Sequence, residues 1–133
     1  MTTDDQQSPQ EIDCEMFVLG AIFLDSACIL EIDDLTPQDF YKEAHMRIYE
    51  AMVDVYFEGE RVDIITVSTK LRPLIAAGRT SISYLSELVN AVPTTANVKY
   101  HVKLLKRAAY KRKAIEGMRS LINLCYEWDY KER

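Results

Sequence analysis

Apolar residues recur at helical spacing along nearly the whole chain, and the alternation that marks a half-exposed strand is almost absent. Only residues 61–67 are dense in β-branched side chains. The pattern predicts an all-α protein. Met16, Phe17, Leu19, Gly20, Phe23 and Leu24 make a first helix apolar around most of its girth, which places it in the middle of a domain. Ser8-Pro9-Gln10-Glu11 reads as a capping box with proline at the first helical position, and Ile12 or Asp13 would serve nearly as well as a start. A second, short helix is expected within residues 26–32. Thr36-Pro37-Gln38-Asp39 then restarts the chain with a threonine cap, proline at the first position and an acid in the first turn, where the helix dipole favours it.

The next helix is expected over residues 42–58, with Ala44, Ile48, Met52 and Val55 on one face and Gly59 just past its end. Asp63 caps a following helix whose inward residues are Ile64, Val67 and Leu71. Pro73 opposes its continuation, so residues 72–80 read as a turn region. A further helix over residues 83–91 turns Leu85, Leu88 and Val89 inward, and Pro93-Thr94-Thr95 separates it from the last helical region, residues 96–128. That region carries two apolar stripes, Val98, Val102, Leu105, Ala109 and then Ile115, Met118, Ile122, Cys125, Trp128. The spacing lapses between them at Tyr110-Lys111-Arg112-Lys113. A hairpin of two helices and a single rod both satisfy this periodicity, since neither glycine nor proline marks a turn.

At 133 residues and 48% hydrophobic, the chain suffices for one domain burying roughly 65% of its unfolded surface. It is too short to hold a nucleotide-hydrolysing domain as well. Its longest apolar run, residues 16–24, is half of a membrane span and follows acidic residues instead of a basic flank, so a soluble cytoplasmic protein without membrane contact is expected. Cys14, Cys28 and Cys125 are odd in number and widely separated, which suits buried thiols. His45 and His101 lack a second metal ligand at a recognised spacing. The four glycines, Gly20, Gly59, Gly78 and Gly117, are isolated, and no GxxxxGK[ST] loop exists, so no catalytic, cofactor or metal residue is assigned and ATP hydrolysis is not expected of this chain. Neighbouring carboxylates such as Asp33 and Asp34 read as a solvated face.

Charge is sorted along the length. A net charge of -5 conceals 15 acidic and 2 basic residues in positions 1–60 against 6 and 14 in positions 61–133. The segment containing Lys99, Lys103, Lys106, Arg107, Lys111, Arg112 and Lys113 has no carboxylate within residues 98–115. Such a stripe needs an anionic surface in the acidic half of the same chain, in another chain, or in nucleic acid. Asp39 and His45 read as structural, the histidine holding a helix start against a neighbour. Glu15, Asp25, Lys42 and Arg47 read as exposed enough to touch partners.

With these residues placed, the chain resembles the N-terminal domain of the DnaB-type replicative DNA helicases. Five pieces occur in the family's order: residues 13–22 with Leu24-Asp25; Leu35-Thr36-Pro37-Gln38-Asp39-Phe40-Tyr41 with Ala44-His45; Gly59-Glu60-Arg61-Val62-Asp63-Ile64-Ile65-Thr66-Val67; Tyr84-Leu85 with Glu87-Leu88; and Val92-Pro93-Thr94-Thr95-Ala96-Asn97 with Tyr100. The likeness covers about residues 8–128. It implies a disordered tail over residues 1–8, a globule of about five or six helices over 9–95, a dimerising helical hairpin over 96–128 with its bend near 110–113, and the start of a linker over 129–133.

In the family such hairpins pair subunits within a hexamer, as a trimer of dimers, and the collar they form docks the helicase-binding domain of primase and, in some systems, a helicase loader. Carried onto this chain, the resemblance makes Val102, Leu105, Ala109, Ile115, Met118, Leu121, Ile122, Cys125 and Trp128 candidates for self-association. It makes Asp39, Phe40, Tyr41, His45 and Asp63 a structural motif. ATP and Mg²⁺ would belong to a motor domain outside this sequence. The alternatives are a free-standing homologue that binds or inhibits helicase or primase, and a DNA-binding module using the basic stripe, weakened by the acidic first half. Arg79-Thr80-Ser81 stands where the family has a glycine pair, so the 72–83 connection is expected to be rearranged.

Overall fold

The computed structural model describes residues 8–92 and 94–128, and no strand occurs among them. Residues 1–7 of the expected disordered tail (residues 1–8), the linker start (129–133) and Pro93 lie outside the described residues. Helix α1, Ile12–Leu24, runs through the middle of the globule and packs on α7, α6 and α3. Val18, Leu19, Ala21 and Ile22 have no exposed surface, as expected of a helix apolar on most sides. The capping box expected at Ser8 is not made; the helix starts after Glu11, which supplies no side-chain cap. The preceding residues are held elsewhere, because the Pro9 carbonyl accepts a hydrogen bond from Arg112 on α7.

Helix α2 is the single turn Cys28–Glu31. Thr36 and Asp39 then form a reciprocal capping box around a 3-10 turn, Pro37–Asp39, with Asp39 Oδ2 accepting from the Thr36 N–H at 2.9 Å. Phe40 and Lys42 take extended backbone, and α3, Glu43–Phe57, begins afresh. Gly59, at φ +81°, ends it with a left-handed residue, as its position past the helix end predicts. Asp63 caps α4, Ile64–Lys70, by accepting from Thr66 N–H at 2.9 Å, and this bond is the first cause of the carboxyl's lowered pKa.

Residues 72–80 are not a plain turn. They contain α5, Arg72–Ala76, in which Pro73 sits in the first turn, where a missing N–H costs nothing. Gly78, at φ +74°, closes α5, and Ser81 caps α6, Ile82–Asn90, by accepting from Tyr84 N–H. Leu85 and Leu88 are buried on α6 as expected, whereas Val89 is exposed. The bend expected near 110–113 is absent: α7, Val98–Glu127, is one uninterrupted helix of 30 residues. No residue there interrupts the backbone ladder, and Ala108 and Ala109 beside it favour helix strongly.

Two packing constraints yield measurable predictions. A Cβ added at Gly20 would lie 2.5 Å from Val92 Cγ2 and 2.6 Å from the Leu88 carbonyl oxygen. Gly20→Ala should therefore lower the melting temperature, its overpacking cost of about 1–3 kcal/mol exceeding the gain in helix propensity. Val92→Ala should restore only part of the loss, because the carbonyl remains; a melting temperature unchanged by Gly20→Ala would show that α6 yields freely. Tyr49 is buried and donates to the Leu35 carbonyl at 3.2 Å. Burial first, then Asp34, Asp39 and Asp33, push its phenol up from 10.0 to about 12. Between these values the unfolded chain has lost the proton and the folded one retains it, so stability falls as pH rises through that window. Alkaline denaturation curves should show this limb flattened in Tyr49→Phe.

Candidate functional site

The distal half of α7 carries the surface of interest, and the proximal half fixes where it points. Val98, Val102, Leu105, Ala108 and Ala109 are buried against the globule. Val102, Leu105 and Ala109 are therefore core residues of this domain and not self-association residues: the first stripe is consumed in attaching α7 to α1. From residue 115 onward every described position of the helix is exposed. At ~1.5 Å per residue, the stretch 115–127 projects roughly 20 Å beyond the last packed turn.

This projecting stretch is not polar. Ile115 is 38% exposed, Met118 62%, Leu121 62% and Ile122 54%. Cys125 and Trp128 are exposed as well, so Cys125 is not the buried thiol expected, whereas Cys14 and Cys28 are. At ~100° per residue, Ile115, Met118, Ile122 and Cys125 form a stripe turned roughly 150° from the buried stripe. The lapse in periodicity at 110–113 is thus a change of face on one straight helix. Beside the junction a groove of about 690 Å³ opens between α7 and the globule, with Phe40, Tyr41, Met46, Ile115, Met118 and Ile122 in its walls.

The base of this rod is held by charge. Asp39, at the end of the 3-10 turn, receives Lys106 Nζ on Oδ2 at 2.9 Å, while the same ammonium donates to the Asp34 carbonyl at 2.7 Å. Arg112 donates to the Pro9 carbonyl at 2.8 Å and the Asp39 carbonyl at 3.0 Å, with its guanidinium 5.4 Å from the Tyr41 ring centroid. Two of the seven cations of the basic stripe thus serve the chain's own acidic half. Lys99, Lys103, Arg107, Lys111 and Lys113 make no ion pair among the described residues. Lys99, Lys103 and Lys113, with the exposed Tyr110 among them, fall on one flank of the helix.

The globule supporting the rod is organised around Glu15. This carboxylate, expected at the surface, is 1% exposed. Oε2 accepts from Tyr41 N–H at 2.6 Å, and Oε1 lies 3.4 Å from Lys42 N and 2.7 Å from His45 Nδ1. A carboxylate only accepts, so Nδ1 carries the hydrogen and donates. The Tyr84 hydroxyl lies 2.6 Å from Nε2 and completes the ring's polar contacts; burial, followed by Glu87 and Glu15, raises the Tyr84 pKa. His45 has no exposed surface, and its ring nitrogens join the start of α3 to Glu15 on α1 and Tyr84 on α6. Phe40 packs with its ring centroid 5.3 Å from that of Tyr49. Sequence reasoning missed Glu15 and Tyr84. The available signal was weak: Glu15 is one of two carboxylates in the first turn of an otherwise apolar helix, and the other, Asp13, is exposed. No group of His, Cys, Asp and Glu side chains among the described residues could hold a metal, and no described helix is long and apolar enough to cross a membrane.

Comparison with known proteins bears on these features together. Residues 7–107 match the family of DnaB-like helicase N-terminal domains. The replicative DNA helicase DnaB of Geobacillus stearothermophilus is 42% identical over 117 residues, covering 85% of this chain and 25% of the relative. The replicative helicase DnaC of Bacillus subtilis is 40% identical over 114 residues, covering 84% and 25%. The chain thus spans about a quarter of the length of these relatives. Among solved structures, the N-terminal domain of DnaB helicase from Mycobacterium tuberculosis superposes with a TM-score of 0.86 at 32% identity, covering 95% of this chain and 91% of that one. A DnaB-like replicative helicase, described with its interactions with primase, superposes with a TM-score of 0.73 at 28% identity, covering 88% and 28%.

Removing the central carboxylate tests its role. Glu15→Ala strands the Tyr41 N–H and the His45 ring in a closed core, and should cost about 2–4 kcal/mol in denaturant unfolding. Glu15→Gln keeps one acceptor and should cost less. If both variants unfold at the wild-type midpoint, Glu15 does not organise the α3 start.

Proposed function

The chain belongs to the family of DnaB-like helicase N-terminal domains, and we propose that it is the non-catalytic assembly and docking domain of a replicative DNA helicase. It pairs with a second subunit through distal α7 and presents another face to primase or a helicase loader. The carrying observation is the apolar stripe Ile115, Met118, Ile122 and Cys125, exposed on a rod whose other apolar stripe is already spent on the globule. Contiguous exposed apolar surface of this kind marks an interaction site. A heptad-like spacing suits a second helix laid along it, self-complementary in a twofold dimer. Three such dimers would form the trimer of dimers of a hexameric collar.

The matched helicase described with primase supports the docking half of this reading. In an intact parent, ATP and Mg²⁺ would serve a motor domain, and the protein would work in the cytoplasm of a bacterium or of a phage-infected cell. A free-standing homologue that inhibits helicase or primase would use the same surface. DNA contact by Lys99, Lys103 and Lys113 around Tyr110 is the weaker reading, since Lys106 and Arg112 are bound internally.

Sedimentation over a concentration series tests the assignment. The wild-type chain should dimerise with little dependence on salt, and Met118→Glu/Ile122→Glu should weaken the dimer at least tenfold while the globule stays folded, because both side chains are exposed in the monomer; any loss of far-UV helix signal should be confined to the share that distal α7 contributes. A wild-type monomer at every concentration would overturn it.

A further inference from the structure

A second exposed apolar surface lies on the acidic side of the molecule. Between α2 and α3 is a groove of about 520 Å³ lined by the exposed Leu30, Asp33, Asp54 and Phe57 and the half-buried Glu50 and Val53. Its floor is the core itself, where Ile29 and Leu35 are buried. Leu30 is 57% exposed and Phe57 67%. On α3 the positions Glu50, Val53, Asp54 and Phe57 follow the i, i+3, i+4, i+7 rule, so one helical face offers carboxylates and apolar groups together over roughly two turns. The groove contains three carboxylates and no lysine or arginine. Glu50 is shared with Arg47 at 2.9 Å, whereas Asp33 and Asp54 make no ion pair among the described residues.

We infer that the α2–α3 groove docks an amphipathic helix of a partner protein, one that sets leucine-like anchors between Leu30 and Phe57 and lysine or arginine against Asp33 and Asp54. This rests on the docking role proposed above and gives it a face, away from distal α7. Charge selects the occupant. Phosphate-rich surfaces, nucleic acid or anionic lipid, meet only like charge here, and a purely apolar segment would leave carboxylates desolvated without partners. A helix with basic residues flanking its anchors satisfies both surfaces, the helix-in-groove mode of recognition.

The test uses the ¹⁵N-labelled 133-residue chain and a synthetic 18-residue helical peptide with leucine at i, i+3, i+4, i+7 and lysine elsewhere, beside its counterpart with glutamate for lysine. Binding of the lysine peptide should move amide resonances centred on Leu30, Asp33, Asp54 and Phe57, and the glutamate peptide should not bind. Leu30→Ser/Phe57→Ser and Asp33→Asn/Asp54→Asn should each weaken binding at least tenfold; the altered side chains are at the surface, so folding is retained and is checked by the amide spectrum. Wild-type affinity in both double variants, or shifts centred on another acidic surface, would overturn the inference. So would loss of self-association in the groove variants by sedimentation, which would give the groove to a second copy. Met118→Glu/Ile122→Glu should leave peptide binding unchanged, so failure of the α7 interface and failure of the groove are read separately.

Discussion

The fold depends on a carboxylate placed where water cannot reach it. Glu15 sits in the central helix at 1% exposure and is surrounded by the donors that the start of α3 leaves unsatisfied: Tyr41 N–H at 2.6 Å, with Lys42 N–H further off and the His45 ring at 2.7 Å. A charge buried this deeply is tolerated only when its hydrogen bonds are made. The requirement runs both ways, because the backbone donors would be stranded without it. One side chain thereby fixes α3 relative to α1, and through Tyr84 it reaches α6. The extended backbone at Phe40 and Lys42, which stops the 3-10 turn from running on into α3, leaves the Tyr41 and Lys42 N–H groups free to meet Glu15. Asp39 extends the constraint outward, since the turn it caps also receives Lys106 and Arg112 from α7. The core cluster at Glu15 and the clamp at the base of the rod thus hold the chain at Tyr41 and at Asp39, two residues apart.

Much of this architecture is legible in the sequence, because the signals that set it are local. Thr36 with Asp39 and Asp63 with Thr66 are capping pairs three residues apart, so their bonds depend on nothing beyond one turn. The buried stripe of Val98, Val102, Leu105 and Ala109 follows from spacing alone. What escapes is non-local. Glu15 meets Tyr41 across 26 residues and His45 across 30, and no helical period marks a carboxylate as buried. Pro73 was expected to break a helix, yet it opens α5, because proline has opposite effects inside a helix and in its first turn. The assignment of Val102, Leu105 and Ala109 to an interface failed for a different reason. Periodicity reports that a face is covered, and it does not report by what.

The sorted charge finds only a small part of its complement within the chain. Lys106 and Arg112 bind the segment around Asp34 and Asp39, close enough for direct hydrogen bonds, and thereby anchor α7. Around α3, Glu43, Glu50 and Glu58 form pairs with Arg79, Arg47 and Lys70 at the surface, whereas Asp33 and Asp54 and the remaining cations along α7 form no ion pair among the described residues. Surface pairs such as Arg79 with Glu43 add little stability because both members are more than half exposed. The excess charge of each sign is therefore a property of the surface and of what approaches it, while the fold rests on the few pairs that are shielded.

The rod carries the same logic to the interface. A free helix of 13 residues is marginal in water, because nucleating it fixes several backbone dihedrals for one hydrogen bond. Residues 115–127 avoid that cost by propagating from a segment already nailed to the globule through Val98, Val102 and Leu105 and clamped by Lys106 and Arg112. Propagation alone leaves each added turn close to thermal balance, and Gly117 within it lowers that balance further. A partner covering Ile115, Met118 and Ile122 would shift the balance decisively toward helix, since burying each such side chain contributes about 1.5–3 kcal/mol. Order in distal α7 and association are then one coupled equilibrium: the globule sets the direction of the rod, and the partner sets how much of it is helix.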